Sequence, residues 1–356
     1  MSAASFGYML SIFPAGWAAD RIGVRRIMAI GEVVAGVFML GMFIAPSYPA
    51  ALLVMTISGF GCGCLLPSTT KGVMVWFPIR ERATVMGIKQ TGANVGGIIT
   101  AALLPWLALA WGWRYGFLFL GILAIVIGIL SYVLYKEAPA SPADNSNNAA
   151  TDLAPSATNK STRDLVKNRD IWLVAFAGLA LGAVESAISA HLVLYLTEAL
   201  LFPVVTAGAI LAVTQAGGIL GKPGSGFLSD LFFGSSRRKV FMLWSGIAGV
   251  ICVLIALWGV SLSWALYPIL FILGMTAIGW AGVYLTLAAE LAGTEMAGRA
   301  IGVVGTLTLA GFILGPILFG YVVDITRSYP LAWLSQSVFA AICTLLLCFV
   351  REKRRA

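Results

Sequence analysis

Charge is scarce in this sequence. Only 11% of its 356 residues are Asp, Glu, Lys or Arg, against about a quarter in soluble domains. Histidine occurs once, as His191, so a Ser/His/Asp set or a histidine-built metal site has almost nothing to be made from. The cysteines, Cys62, Cys64, Cys252, Cys343 and Cys348, offer no CxxC spacing, and no HExxH occurs. No enzyme chemistry, metal or cofactor is therefore expected. The GCGC of residues 61–64 reads as a small-residue surface for close helix packing. The first apolar run has no basic residue ahead of it and many more runs follow, unlike a cleavable leader.

What is abundant is apolar sequence: 60% of residues are hydrophobic, and the mean hydropathy is +0.93. A helix crosses a hydrocarbon core with roughly 20 apolar residues. Runs of that kind occupy about 2–19, 27–45, 50–77, 83–109, 114–135, 171–197, 203–229, 240–260, 263–290, 299–324 and 330–350. They are too long and too uniformly apolar for barrel strands, and open strands leave backbone groups unsatisfied in lipid. The expectation is an all-α polytopic membrane protein with eleven spans.

Basic residues orient it. One side collects Arg21, Arg25 and Arg26, then Arg80 and Arg82, and then Lys136, Lys160, Arg163, Lys167 and Arg169. The same side takes Arg237, Arg238, Lys239, Arg299 and the tail from Arg351 to Arg355, leaving only Arg114 and Arg327 opposite. The basic side is expected to be cytoplasmic, the C-terminus with it. The net charge of +8 is thus a topology signal and needs no nucleic-acid partner. The segment APASPADNSNNAATDLAPSATNKSTRD is too polar to build a core and reads as a linker. It divides the chain into an N-terminal bundle at 1–135, a cytoplasmic linker at 136–170 and a C-terminal bundle at 171–356.

The two bundles repeat each other. GWAADRIGVRR at 16–26 returns as GFLSDLFFGSSRRK at 226–239, placing Asp230 at an offset of 210 from Asp20. ERATVMG at 81–87 returns as EMAGRAIG at 295–302, an offset near 215. Repetition at this scale means two structural repeats.

With Gly16, Asp20, Arg21, Gly23, Arg25 and Arg26 in this order, the sequence resembles the major facilitator superfamily, whose signature lies in the loop between helices two and three. The resemblance implies two pseudo-symmetric helical bundles of six helices each. It also implies alternating access around a midplane site lined mainly by helices one, four, seven and ten. Asp20 and its degenerate copy Asp230 would then act in a cytoplasmic gating latch, with the basic residues and helix N-termini as partners. Counted against that pattern, this chain starts at helix two. An upstream reading frame encoding helix one is expected, the other reading being a truncated, transport-inactive copy.

Polar residues within the spans are the candidates for substrate binding and translocation. Glu185 lies mid-span, where an ionisable group marks function by default and could carry a coupling proton. His191, farther along the same span, reads as a packed or interfacial histidine, with a pH-sensitive group in the outer vestibule as the alternative. Lys89, Lys71 and Lys222 enter from the basic side to similar depth, Lys89 about 10 Å in. With no acid nearby except Glu32, they suggest a cationic inner vestibule suited to an anionic substrate; the bland reading is snorkelling to the headgroups. Gln90 and Asn94 share a helical face, as do Gln215 and Lys222, and Pro223 would bend the helix beside Lys222. The antiporter signature of helix five would have proline where Ala93 stands, which counts against drug or metabolite antiport and leaves symport open. The expectation is a monomeric inner-membrane secondary transporter in the lipid bilayer, taking up a small organic anion such as a monocarboxylate, with a proton as coupling ion. Drug or metabolite efflux and a sensor-like copy remain as alternatives.

Overall fold

The computed structural model describes residues 2–137, 162–259 and 265–352; most of the expected linker, Lys160 included, lies outside them. Six helices form the first half: α1 (Ser2–Ile22), α2 (Val24–Ile44), α3 (Tyr48–Gly63), α4 (Leu65–Trp76), α5 (Arg82–Trp111) and α6 (Trp113–Leu134). A short α7 (Thr162–Lys167) precedes the second half: α8 (Arg169–Glu198), α9 (Val204–Phe227), α10 (Arg237–Trp258), α11 (Leu266–Ala277), α12 (Ala281–Ala292), α13 (Ala297–Thr326) and α14 (Tyr329–Cys348). Among the described residues there is no strand, and nine spans are long and apolar enough to cross a membrane. The helices α1 and α5, 21 and 30 residues long, lie outside that set but pack with the rest.

Local chemistry explains the boundaries. Ser47 and Ser328 each accept a backbone N–H of the following helix, and a proline occupies that helix's first turn. Gly23 and Gly112 separate consecutive helices at φ 103° and 99°, a conformation that costs glycine little. Two expected spans prove discontinuous. The span at 50–77 breaks between α3 and α4, where the Cys64 N–H bonds to Gly61 three residues back. The span at 263–290 breaks between α11 and α12. There a Cβ on Gly279 would stand 2.6 Å from the Gly221 Cα, so α9 approaches the break at backbone distance.

Within the first half α1 packs on α3, and α2 on α3 and α6; within the second, α8 packs on α13 and α14, α10 on α14, and α9 on α11. The halves meet through α1 with α13, α5 with α9 and α12, and α4 with α13. These contacts follow the repeat. A Cβ on Gly16 would lie 2.1 Å from the Gly298 carbonyl, and one on Gly226, the repeat mate of Gly16, 2.2 Å from the Ala83 carbonyl. Absent side chains thus let α1 meet α13, and α9 meet α5, at backbone distance near the basic end.

Farther along α5 the contact stops: Gly92, Gly96 and Gly97 have nothing within 4 Å of a would-be Cβ. Gly311, the repeat mate of Gly96, would touch the Leu179 carbonyl of α8 at 2.1 Å. Among the described residues no helix does for α5 what α8 does for α13. The molecule is closed between its halves at the basic end, and the α5 glycines face open space beyond it.

Candidate functional site

At the basic end two aspartates each cap a helix of the opposite half. Asp20, at the end of α1, accepts the backbone N–H of Gly298 at 3.1 Å and of Arg299 at 3.0 Å, in the first turn of α13. It also pairs with the Lys71 ammonium at 3.2 Å and the Arg299 guanidinium at 3.5 Å. Asp230, in the π-helical turn that follows α9, accepts the Thr84 N–H at 2.8 Å and the Thr84 hydroxyl at 2.6 Å, in the first turn of α5. Arg237 pairs with Asp230, donates to the Ile79 carbonyl of the first half, and reaches Glu290 at 3.4 Å. Thr84 and Arg299 are repeat mates, so the two caps are the same device built twice. Each carboxylate meets the positive end of a helix dipole and sits almost wholly out of water, where such bonds are strong.

One level deeper a polar cluster spans the halves. The Lys222 ammonium of α9 donates to the Asn94 side-chain oxygen and, at 3.4 Å, to the Gln90 carbonyl, both on α5. Lys222 is only 7% exposed. Glu185 of α8 accepts the Trp280 indole N–H at 2.9 Å, from the break between α11 and α12. Glu185 and Lys222 lie close enough for their charges to act on each other, although no direct ion pair joins them. Gln215 donates to the Ser189 hydroxyl at 3.4 Å, one turn along α8 from Glu185. Ammonium, carboxylate, amides and an indole N–H together can hold an anion with hydroxyl groups and relay a proton.

Several expectations need correction. Lys71 does not line an open vestibule without an acid, because Asp20 ends within its reach and binds it. Lys89 turns inside the first half and donates to the Thr70 hydroxyl of α4 at 2.9 Å. The lysines therefore form no common cationic wall. Arg21, Arg25 and Arg26 stand outside the Asp20 cap. Arg21 stacks on Trp17 at 4.3 Å, Arg25 lies over Tyr132 at 4.3 Å and donates its N–H to Glu137, and Arg26 is exposed. Gly23 turns the chain there, and the cations that reach Asp20 come instead from α4 and α13. Gln215 and Lys222 share a helix but diverge, one to α8 and the other to α5. Glu32 bonds to Ser131 of α6 at 2.9 Å, within its own half. His191 needs no correction: it is packed, stacked on Phe319 at 4.9 Å and donating to the Pro316 carbonyl at 3.0 Å.

Sequence reasoning missed Trp280, Thr84 and the second-half role of Arg237. The repeat could have found Thr84, since the offset of 215 pairs it with Arg299; Arg237 is paired only with the basic run of the first copy, after two extra residues. Nothing in the local sequence pointed Trp280 at Glu185.

The comparisons agree with this architecture. The profile of the Major Facilitator Superfamily matches residues 1–309. The chain is 25% identical to the hexuronate transporter of Bacillus subtilis (strain 168), over 98% of this chain and 84% of that protein. It is 27% identical to the membrane sensor protein UhpC of Escherichia coli (strain K12), over 96% of this chain and 80% of that one. In fold it is similar to a single-residue variant of the fucose:proton symporter FucP of E. coli, with a TM-score of 0.76 at 18% identity, covering 99% of this chain and 90% of that one. With two repeated bundles, caps exchanged between them and a family profile spanning most of its length, this chain belongs to the Major Facilitator Superfamily of membrane transporters.

Proposed function

We propose that the protein takes up a small organic anion, a monocarboxylate of the sugar-acid kind, by alternating access, with a proton as the coupling ion. Lys222 is the counter-ion for the carboxylate, Asn94, Gln90 and Gln215 are polar contacts along its path, and Glu185 carries the proton. The basic end is the cytoplasmic side of the inner membrane, the C-terminus lies there, and Asp20 and Asp230 hold the cytoplasmic gate. Outside the membrane-facing surface the monomer needs only substrate and proton as partners.

The observation that carries this reading is the repeat mate of Lys222. At the offset of 210 it is Ile12, fully buried at the equivalent crossing against Gly302 and Gly305. Packing at that crossing is satisfied by an apolar side chain, so an ammonium in the second half has a role other than filling space. Burying an ammonium is costly unless a partner compensates it, and a transported anion is such a partner. The similarity to a hexuronate transporter supports the same substrate class. The similarity to a sensor protein supports a second reading, in which the same site binds the anion without moving it.

Purified protein in proteoliposomes, given labelled glucuronate on the outside under an imposed pH gradient, tests the reading. Removing a hydrogen bond to a charged group costs about 1.5–3 kcal/mol. Lys222→Ala should therefore lose roughly 10- to 150-fold in kcat/KM, at about 1.4 kcal/mol per decade. Lys222→Arg should retain part of the activity, and Lys167→Ala all of it. Uptake by Lys222→Ala equal to that of the parent refutes the counter-ion role. Saturable binding without uptake by the parent favours the sensor.

A further inference from the structure

Reading from the basic end inward, the contacts between α5 and α9 form a zipper. Asp230 holds Thr84, Gly226 abuts Ala83, the Lys222 backbone abuts Gly87, and last the Lys222 ammonium reaches Gln90 and Asn94. Beyond Asn94 the α5 glycines meet nothing within 4 Å. The Lys222–Asn94 bond is therefore the innermost tooth of the closed gate and the first one an anion arriving from the open side would meet.

We infer that Asn94 is a positioning residue that makes gate opening depend on substrate: its side-chain oxygen stands in for the anion on the Lys222 ammonium, and an arriving carboxylate displaces it. This rests on the counter-ion reading of Lys222. In the empty protein the hydrogen bonds of the ammonium to Gln90 and Asn94 both cross the interface, so parting α5 from α9 would leave it with the Glu185 charge of its own half but without those acceptors. An anion supplies a new partner on the cavity side and removes that penalty. Substrate binding and release of the inner gate become one exchange of hydrogen-bond acceptors. No distant relay is required, because the bond that is exchanged is itself part of the gate.

The charge on the residue at 94 then sets the behaviour. Asn94→Leu keeps the bulk but removes the acceptor, leaving the closed gate with a poorly satisfied ammonium. Asn94→Asp replaces the acceptor with a carboxylate that competes with substrate. The probe is Met86→Cys, since Met86 is fully buried on α5 within the apolar cluster that includes second-half residues. Alkylation by a membrane-impermeant maleimide applied from the basic side, mapped to position 86 by peptide mass spectrometry, reads gate opening in each background with and without glucuronate.

The Asn94 parent should label slowly alone and faster with glucuronate. Asn94→Leu should label about tenfold faster than the parent without any anion, the ratio expected when one hydrogen bond to a charged group is lost. Asn94→Asp should label slowly in both conditions. The variants move in opposite directions, so a general loosening of the fold cannot mimic both. Slow, parent-like labelling of Asn94→Leu without anion overturns the inference, as does a parent-like response of Asn94→Asp. Fast labelling of Asn94→Leu beside a parent indifferent to glucuronate would uphold the gate tie and discard the sugar acid as substrate.

Discussion

Asp20→Asn is the most informative single change at the gate, because it is nearly isosteric and removes only charge and one acceptor. Asp20 holds two backbone N–H groups of α13 and pairs with Lys71 and Arg299, all at a carboxylate only 1% exposed. An asparagine can keep one of the N–H bonds through its oxygen but neither ion pair, and its amide N–H faces donors. Hydrogen bonds to charged groups contribute about 1.5–3 kcal/mol and neutral ones about 0.5–1.5. The net loss to the closed state is then roughly 2–4 kcal/mol, shifting the closed-to-open ratio by about 30- to 900-fold. Arg26 and Lys239 are exposed on opposite halves at the basic end, so spin labels at these positions report the separation by pulsed electron resonance. Asp20→Asn should populate a longer distance. Asp230→Asn should do the same through the symmetric cap, and the two effects should add, since the caps share no residue. A distance distribution unchanged in both variants, in protein that still elutes as a folded species, would show that the caps do not hold the gate.

Gly16→Ala and Gly226→Ala should each slow transport by preventing closure, because the added methyl meets a backbone carbonyl at 2.1–2.2 Å; Gly92→Ala, with nothing within 4 Å, should match the parent in uptake and thermal unfolding. Glu185→Gln should abolish accumulation driven by a pH gradient while leaving equilibrium exchange of glucuronate measurable, and unchanged accumulation would remove Glu185 from coupling. His191→Phe should retain the pH profile of uptake, since the ring stacks on Phe319 in a packed site; a shifted profile would give the imidazole a role in proton movement.

Helical class, span positions and the twofold repeat could be read from local properties: runs of apolar residues and motifs recurring at fixed offsets. Asp20 and Asp230 stood out for the same reason, since a carboxylate at a helix end beside a basic loop is conspicuous in a chain so poor in charge. Their partners did not. Arg21 and Arg25 flank the Gly23 turn close to Asp20 in sequence, yet Lys71 and the first turn of α13 bind it, because helix packing brings residue 20 beside residues 71 and 298 while Arg21 and Arg25 lie over Trp17 and Tyr132. The lysines looked alike by depth. Rotation of each helix about its axis separated them, sending Lys71 to Asp20, Lys89 to Thr70 and Lys222 across to Asn94. Periodicity states which residues share a face, but the neighbour that face meets depends on the crossing of elements more than a hundred residues apart. Trp280, at the α11–α12 break, reaches Glu185 on α8 almost a hundred residues away, a contact with no local signature in the chain.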